Sequence, residues 1–147
     1  MESSEILAEV EKTAGWLKKV AAGFRPDTAI IAGSGLGNSL PRLEDKISVS
    51  YRDIPGFPST TVKGHAGEMI FGRMGGHDVV MMRGRFHYYE GRPLSFIAFP
   101  IRVLRALGVK NLLLTAAVGS LKPAIKPGDM VILRDHLNLM GSNPLMG

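Results

Sequence analysis

With 147 residues, 45% of them hydrophobic and 21% charged, the chain has the size of a single domain and an ordinary globular composition, which excludes the disordered and fibrous classes. It contains no cysteine, so disulfide frameworks and thiolate metal sites are excluded, and a reducing compartment fits. The formal net charge is +5, but the basic residues are scattered and the aromatics do not interleave with them, a pattern suited to attracting a small anion and not to binding nucleic acid.

The polar, acidic start Met1-Glu2-Ser3-Ser4-Glu5 lacks the basic and apolar regions of a secretory signal, and no apolar run reaches membrane-spanning length, so a cytoplasmic protein is expected. From Ser3 to about Ala22, apolar residues at Ile6, Leu7, Val10, Ala14, Leu17, Val20 and Ala21 recur at spacings of three and four, which predicts an amphipathic helix capped by Ser3 or Ser4 and ended by Gly23. A short strand, Thr28–Ala32, then runs into the glycine-rich loop Gly33-Ser34-Gly35-Leu36-Gly37. Such a loop can cradle a phosphate, because glycines let backbone N–H groups approach the anion, and Ser34 adds a hydroxyl donor. It carries no Gly-Lys-Ser/Thr ending and lacks the later third glycine of a dinucleotide fingerprint, and Asp53, at the right distance for a ribose-binding acid, sits in a poor strand end.

A strand over Ile47–Tyr51 leads to a proline-rich loop and to Gly64-His65-Ala66-Gly67, whose flanking glycines suit a segment that closes on a ligand. Glu68–Met74 and His77–Met82 read as a hairpin turned at Gly75-Gly76, with His77 structural. The octet Gly84-Arg85-Phe86-His87-Tyr88-Tyr89-Glu90-Gly91 follows the second strand and precedes a helix from Pro93 to Leu107, the place where open α/β sheets hold their ligands. Arg85 offers a planar fork of donors for phosphate or carboxylate, and His87 supplies an imidazole, a side-chain type that can share a proton with such an anion. Pro100 inside the helix implies a kink or a shortened first turn. Leu112–Ala117 and Met130–Leu133 read as further strands, the second entered through a turn at Pro127-Gly128-Asp129.

The four histidines do not pair at metal-ligand spacings. Ser34, His87 and Asp135 compose a nominal esterase triad, but no nucleophile-elbow sequence frames the serine.

Four stretches, Ile31-Ala32-Gly33-Ser34-Gly35-Leu36-Gly37, Gly64-His65-Ala66-Gly67, Gly84 through Gly91, and Gly128-Asp129-Met130-Val131-Ile132-Leu133-Arg134-Asp135-His136, together resemble the ordered landmarks of the trimeric purine nucleoside phosphorylases. The resemblance runs from about Thr28 onward and covers the first half of that family's usual chain. It implies an α/β fold, a mixed β-sheet flanked by helices, phosphorylase/hydrolase-like and truncated, with residues 1–147 forming one domain. It also implies phosphorolysis of purine ribonucleosides and deoxyribonucleosides to the free base and (deoxy)ribose 1-phosphate. Inorganic phosphate is then a co-substrate, and no metal or organic cofactor is needed. By resemblance, phosphate falls on Ser34, His65, Arg85, His87 and the backbone N–H of Ala117, ribose on Tyr89, and Glu90 steers the proton shared between His87 and the anion. The expected partners are phosphate and a purine nucleoside, with a homotrimer for a full-length chain and neither nucleic acid nor membrane.

Ala116 stands where the family usually has asparagine, and Val118 and Ser120 also depart from its commonest pattern, a form closer to the methylthioadenosine phosphorylase branch, whereas the glycine-serine-glycine loop and the octet favour the inosine and guanosine branch. The family's base-recognition groups belong to its second half, so the 147 residues alone are expected to turn over little or nothing. Two classes stay open, an enzyme half and a non-catalytic anion-binding domain that kept the phosphate site.

Overall fold

The computed structural model describes residues 3–33, 40–57 and 67–145. Two helices, α1 (Ser3–Val20) and α2 (Leu94–Leu107), pack on a sheet of five strands, β1 (Thr28–Ala32), β2 (Glu44–Ser50), β3 (Glu68–Met74), β4 (His77–Arg83) and β5 (Asn111–Leu114). The strand order is β2-β3-β4-β1-β5. β1 runs parallel to both β4 and β5, while β2–β3 and β3–β4 are antiparallel. The expected mixed sheet flanked by helices is therefore present.

The alternation of a pleated strand sorts its residues to two faces. Ala29, Ile31, Met69, Phe71, Val80 and Met82 join Val10, Ala14 and Leu17 of α1 and Phe99, Val103 and Leu104 of α2 in one buried core. Ile30, Ile70 and Met81 point the other way into a smaller cluster with Leu40 and Leu43. Of the stripe read from the sequence, Ile6, Val10, Ala14, Leu17 and Ala21 are buried in the larger core and Val20 packs against it, whereas Leu7 is 60% exposed and lies off the face; α1 in turn packs against α2.

The hairpin turn at Gly75-Gly76 has φ of 58° and 82°, both in the left-handed region that a two-residue turn matched to strand twist requires. Pro100 lies buried within α2, which begins at Leu94, so the proline does not mark a shortened first turn; inside the helix it withdraws one intrahelical N–H.

Two strand expectations are corrected. β5 ends at Leu114 and does not reach Ala117: among the described residues its neighbour is β1, which ends at Ala32, and the next N–H, that of Gly33, goes to the Thr115 hydroxyl and not to a ladder carbonyl. Met130–Leu133 is irregular, and Ile132 is 93% exposed. Among the described residues no strand lies beside that run, and an apolar sequence without a pairing partner cannot form a ladder. The turn before it is present, with the Asp129 N–H donating to the Lys126 carbonyl at 3.0 Å.

Among the described residues no helix is long and apolar enough to cross a membrane.

Candidate functional site

Because β4, β1 and β5 are parallel, their C-terminal ends reach the same edge of the sheet, and the residues that follow them meet there: Arg85 after β4, Gly33 after β1 and Thr115 after β5. Thr115 Oγ1 accepts the Gly33 N–H at 2.9 Å and donates to the Ile31 carbonyl at 3.3 Å. The Thr115 N–H donates to the same carbonyl at 3.1 Å. Arg85 Nη1 in turn donates to the Thr115 carbonyl at 3.2 Å. Gly33 has to be glycine for this approach, since a Cβ there would run into the Thr115 carbonyl oxygen and come within 3.1 Å of Ala116 Cα. The acceptor of Arg85 is a neutral carbonyl, which orients the guanidinium without cancelling its charge. Arg83, two residues earlier, is by contrast neutralised by Glu68 at 2.7 Å.

The octet is held from below by aromatic packing. Phe86 is buried and meets Tyr51 with ring centroids 5.6 Å apart, Phe57 at 6.2 Å and Phe96 of α2 at 6.3 Å. Tyr51, 1% exposed, donates its hydroxyl to the Gly84 carbonyl at 2.8 Å. Burial pushes its phenol well above the ordinary range, and the Glu68 carboxylate adds to the rise, so the hydroxyl is a fixed donor.

Beyond Phe86 the chain makes a 3-10 turn at Tyr88–Glu90. Glu90 Oε1 accepts the backbone N–H of His87 at 2.8 Å, which closes the turn. The His87 ring stacks on Tyr89, with centroids 4.7 Å apart and planes 15° from parallel. His87 is half-buried while Tyr89 is 77% exposed, so one face of the stack is presented to solvent. A recess lies at the far end of the octet, lined by Tyr88, Gly91, Arg92, Pro93, Leu94 and Ser142; it does not include Arg85.

Of the expected site residues, Arg85, His87, Tyr89 and Glu90 are brought together by one loop, and Ala117 is exposed just past Thr115, the residue that receives Arg85. Ser34 and His65 lie outside the described residues, as do the rest of the glycine-rich loop and the proposed closing segment. What the described part offers is a guanidinium held on a neutral carbonyl at the carboxyl ends of three parallel strands, in the loop that also carries an imidazole and two phenols. That arrangement suits an oxyanion with a polar organic group attached.

The family model of the phosphorylase superfamily matches residues 27–147. The chain belongs to the phosphorylase superfamily. It is 46% identical over 138 residues to purine nucleoside phosphorylase 1 of Geobacillus stearothermophilus, a match covering 94% of this chain and 50% of that protein. It is 45% identical over 150 residues to the purine nucleoside phosphorylase of Rattus norvegicus, covering 100% of this chain and 52% of the relative. The chain thus spans about half the length of the curated relatives it matches. Among solved structures, it resembles a Schistosoma mansoni purine nucleoside phosphorylase in complex with BCX-34 at a TM-score of 0.74 and 44% identity, over 83% of this chain and 44% of that one. Isoform 2 of the Schistosoma enzyme, in complex with cytosine and ribose-1-phosphate, gives a TM-score of 0.76 at 42% identity, over 83% and 42% of the two chains. The likeness drawn from the four sequence stretches holds over the length of this phosphorylase-superfamily chain, and with it the α/β fold.

Two residues central to the edge escaped the sequence reading. Thr115 counted only as part of a strand, and Tyr51 only as a strand end. For Thr115 a local signal exists, a hydroxyl-bearing β-branched residue between the apolar run Leu112-Leu113-Leu114 and the small pair Ala116-Ala117. Tyr51 carries no such signal, because its partner is 33 residues away in the chain.

Proposed function

We propose that this phosphorylase-superfamily chain carries the phosphate and ribose part of a purine nucleoside phosphorylase site, for phosphate-dependent cleavage of purine ribonucleosides and deoxyribonucleosides to the free base and (deoxy)ribose 1-phosphate. The observation that carries the reading is the Arg85 guanidinium, held on a neutral carbonyl at the carboxyl ends of β4, β1 and β5, in a chain 42% to 46% identical to named purine nucleoside phosphorylases. The ribose-1-phosphate complex of the Schistosoma isoform supports a sugar phosphate as the species at this edge.

In this reading Arg85, Ser34, His65 and the Ala117 N–H bind inorganic phosphate, and Tyr89 carries the ribose. A phosphate oxygen bonds to C1′ as the bond from C1′ to the base nitrogen breaks, and that bond's electron pair leaves with the base. Positive charge builds on the sugar, and the anion held beneath it stabilises that charge. His87 shares a proton with the phosphate. Glu90, which holds the His87 backbone, fixes where that ring stands. The reaction calls for no metal or organic cofactor, only phosphate as co-substrate. A homotrimer of the full-length protein, active in the cytoplasm, completes the reading, and a light-scattering mass of one protomer for such a protein would count against the assembly.

The second reading is a non-catalytic phosphate-binding domain, favoured by the chain's spanning only about half of its relatives. Three measurements test them: titration with inorganic phosphate, titration with ribose 1-phosphate, and hypoxanthine release from inosine plus phosphate. Release, or ribose 1-phosphate bound more tightly than inorganic phosphate as the ribose role of Tyr89 requires, supports the phosphorylase; phosphate binding with neither supports the second reading; and no binding overturns both.

A further inference from the structure

We infer that Thr115 is a positioning residue, one that sets the Arg85 guanidinium and the first residue of the glycine-rich loop in fixed relation; this rests on the reading of Arg85 as a phosphate-binding residue. Neither group can find its place from its own strand alone. Gly33 lies one residue past the end of β1, and Arg85 lies two past the end of β4, where ladder hydrogen bonds have stopped. Thr115 supplies the missing ties from a third strand end. Its hydroxyl bridges the Gly33 N–H and the Ile31 carbonyl, at 2.9 and 3.3 Å. Its own N–H adds a bond of 3.1 Å to Ile31. With both sides of the residue pinned to β1, its carbonyl is presented to Arg85 Nη1 at 3.2 Å.

The chemistry of the side chain is specific to this task. A hydroxyl donates and accepts at once, so one atom satisfies an N–H and a carbonyl on either side of Ala32. Valine keeps the shape and loses both bonds. Serine keeps both bonds and loses only a methyl group. The guanidinium itself is not touched by either substitution. An effect on anion affinity therefore travels through the backbone of residue 115, and a misplacement on the order of 1 Å is enough to matter for a forked donor.

The test compares T115V, T115S and R85A in the 147-residue chain, each titrated with inorganic phosphate and each followed through thermal unfolding. T115V is expected to weaken phosphate binding about tenfold, the effect of one oriented hydrogen bond, while T115S stays within about threefold of the parent. Thr115→Ala reads the same loss should T115V not fold. A purely structural threonine would lower the melting temperature in T115V and leave phosphate affinity at the parent value, and that result overturns the inference. So does equal loss in T115S and T115V, which would exclude the hydroxyl as the working part. Failure of the underlying reading has a different signature, since there the parent and R85A show the same phosphate response, and the positioning role falls with it.

Discussion

The Tyr51 hydroxyl donates to the Gly84 carbonyl at 2.8 Å, in a place where the tyrosine is 1% exposed. That bond joins the residue after β2 to the residue after β4, across the intervening β3. It fixes the first residue of the loop that carries Arg85, His87, Tyr89 and Glu90. The loop's other support is the ring cluster of Tyr51, Phe57, Phe86 and Phe96, so polar and apolar anchors act on the same short segment.

Tyr51→Phe keeps the ring and removes the donor, leaving a buried carbonyl unpaired. The expected cost is about 1–3 kcal/mol of stability, the desolvation penalty of an orphaned acceptor. Urea unfolding of the variant against the parent measures it. A change within about 0.5 kcal/mol, the scale of surface substitutions, would mean that the Gly84 carbonyl finds another donor.

The same phenol sets an alkaline limit. Its folded value is raised by burial and by Glu68, whereas in the unfolded chain it titrates at about 10. Below that pH both states hold the proton and stability does not depend on it. Above it the unfolded chain releases the proton and the folded one does not, so stability falls as pH rises. The parent is expected to lose melting temperature above about pH 10, and Tyr51→Phe to show a shallower decline. Parallel declines in the two proteins would assign the alkaline sensitivity to other groups.

What was legible in the sequence was what is local. The strand Thr28–Ala32, the Gly75-Gly76 hairpin and the helix up to Gly108 each carry their own punctuation, and each stands where it was expected. Arg85 and His87 were legible as candidates, a cation and an imidazole between a strand and a helix, and the loop that carries them does stand at the carboxyl ends of parallel strands. Met130–Leu133 misled, since an apolar run says nothing about whether a neighbouring strand exists to pair with it. The ties that make an edge into a site, Gly33 to Thr115 across 82 residues and Tyr51 to Gly84 across 33, depend on strand order, which no short window contains.

Arg85→Ala is expected to weaken inorganic phosphate binding by about ten- to a hundredfold, the range for a hydrogen bond from a charged donor. His77→Ala, an exposed histidine beside the hairpin turn, is the control and should leave the titration unchanged. Equal effects of the two substitutions would reduce the octet to a charged surface turn.

Gly33→Ala tests the close packing of the three strand ends. A methyl group there meets the Thr115 carbonyl oxygen and Ala116, both backbone, so relief requires β1 and β5 to part. A loss of about 1–3 kcal/mol is expected, as for other overpacked sites, together with weaker phosphate binding as Arg85 loses its carbonyl. Unfolding free energy and phosphate affinity both at parent values would show that the strand ends open at no cost.

The last expectation concerns the sheet edge. Among the described residues β5 pairs with β1 on one side only, and its Leu112, Leu113 and Leu114 are 40%, 55% and 61% exposed. A row of unpaired backbone groups flanked by apolar side chains is a template for another strand, and the apolar residues from Met130 to Leu133 extend the exposed surface. The 147-residue chain is therefore expected to associate with itself as concentration rises. Leu113→Lys, which places a charge in the middle of the edge, should shift that association to higher concentration without lowering phosphate affinity, because Leu113 is not among the residues that hold Arg85. Sedimentation over a tenfold range of concentration reads the difference, and a parent that stays monomeric throughout would show that this edge is already protected.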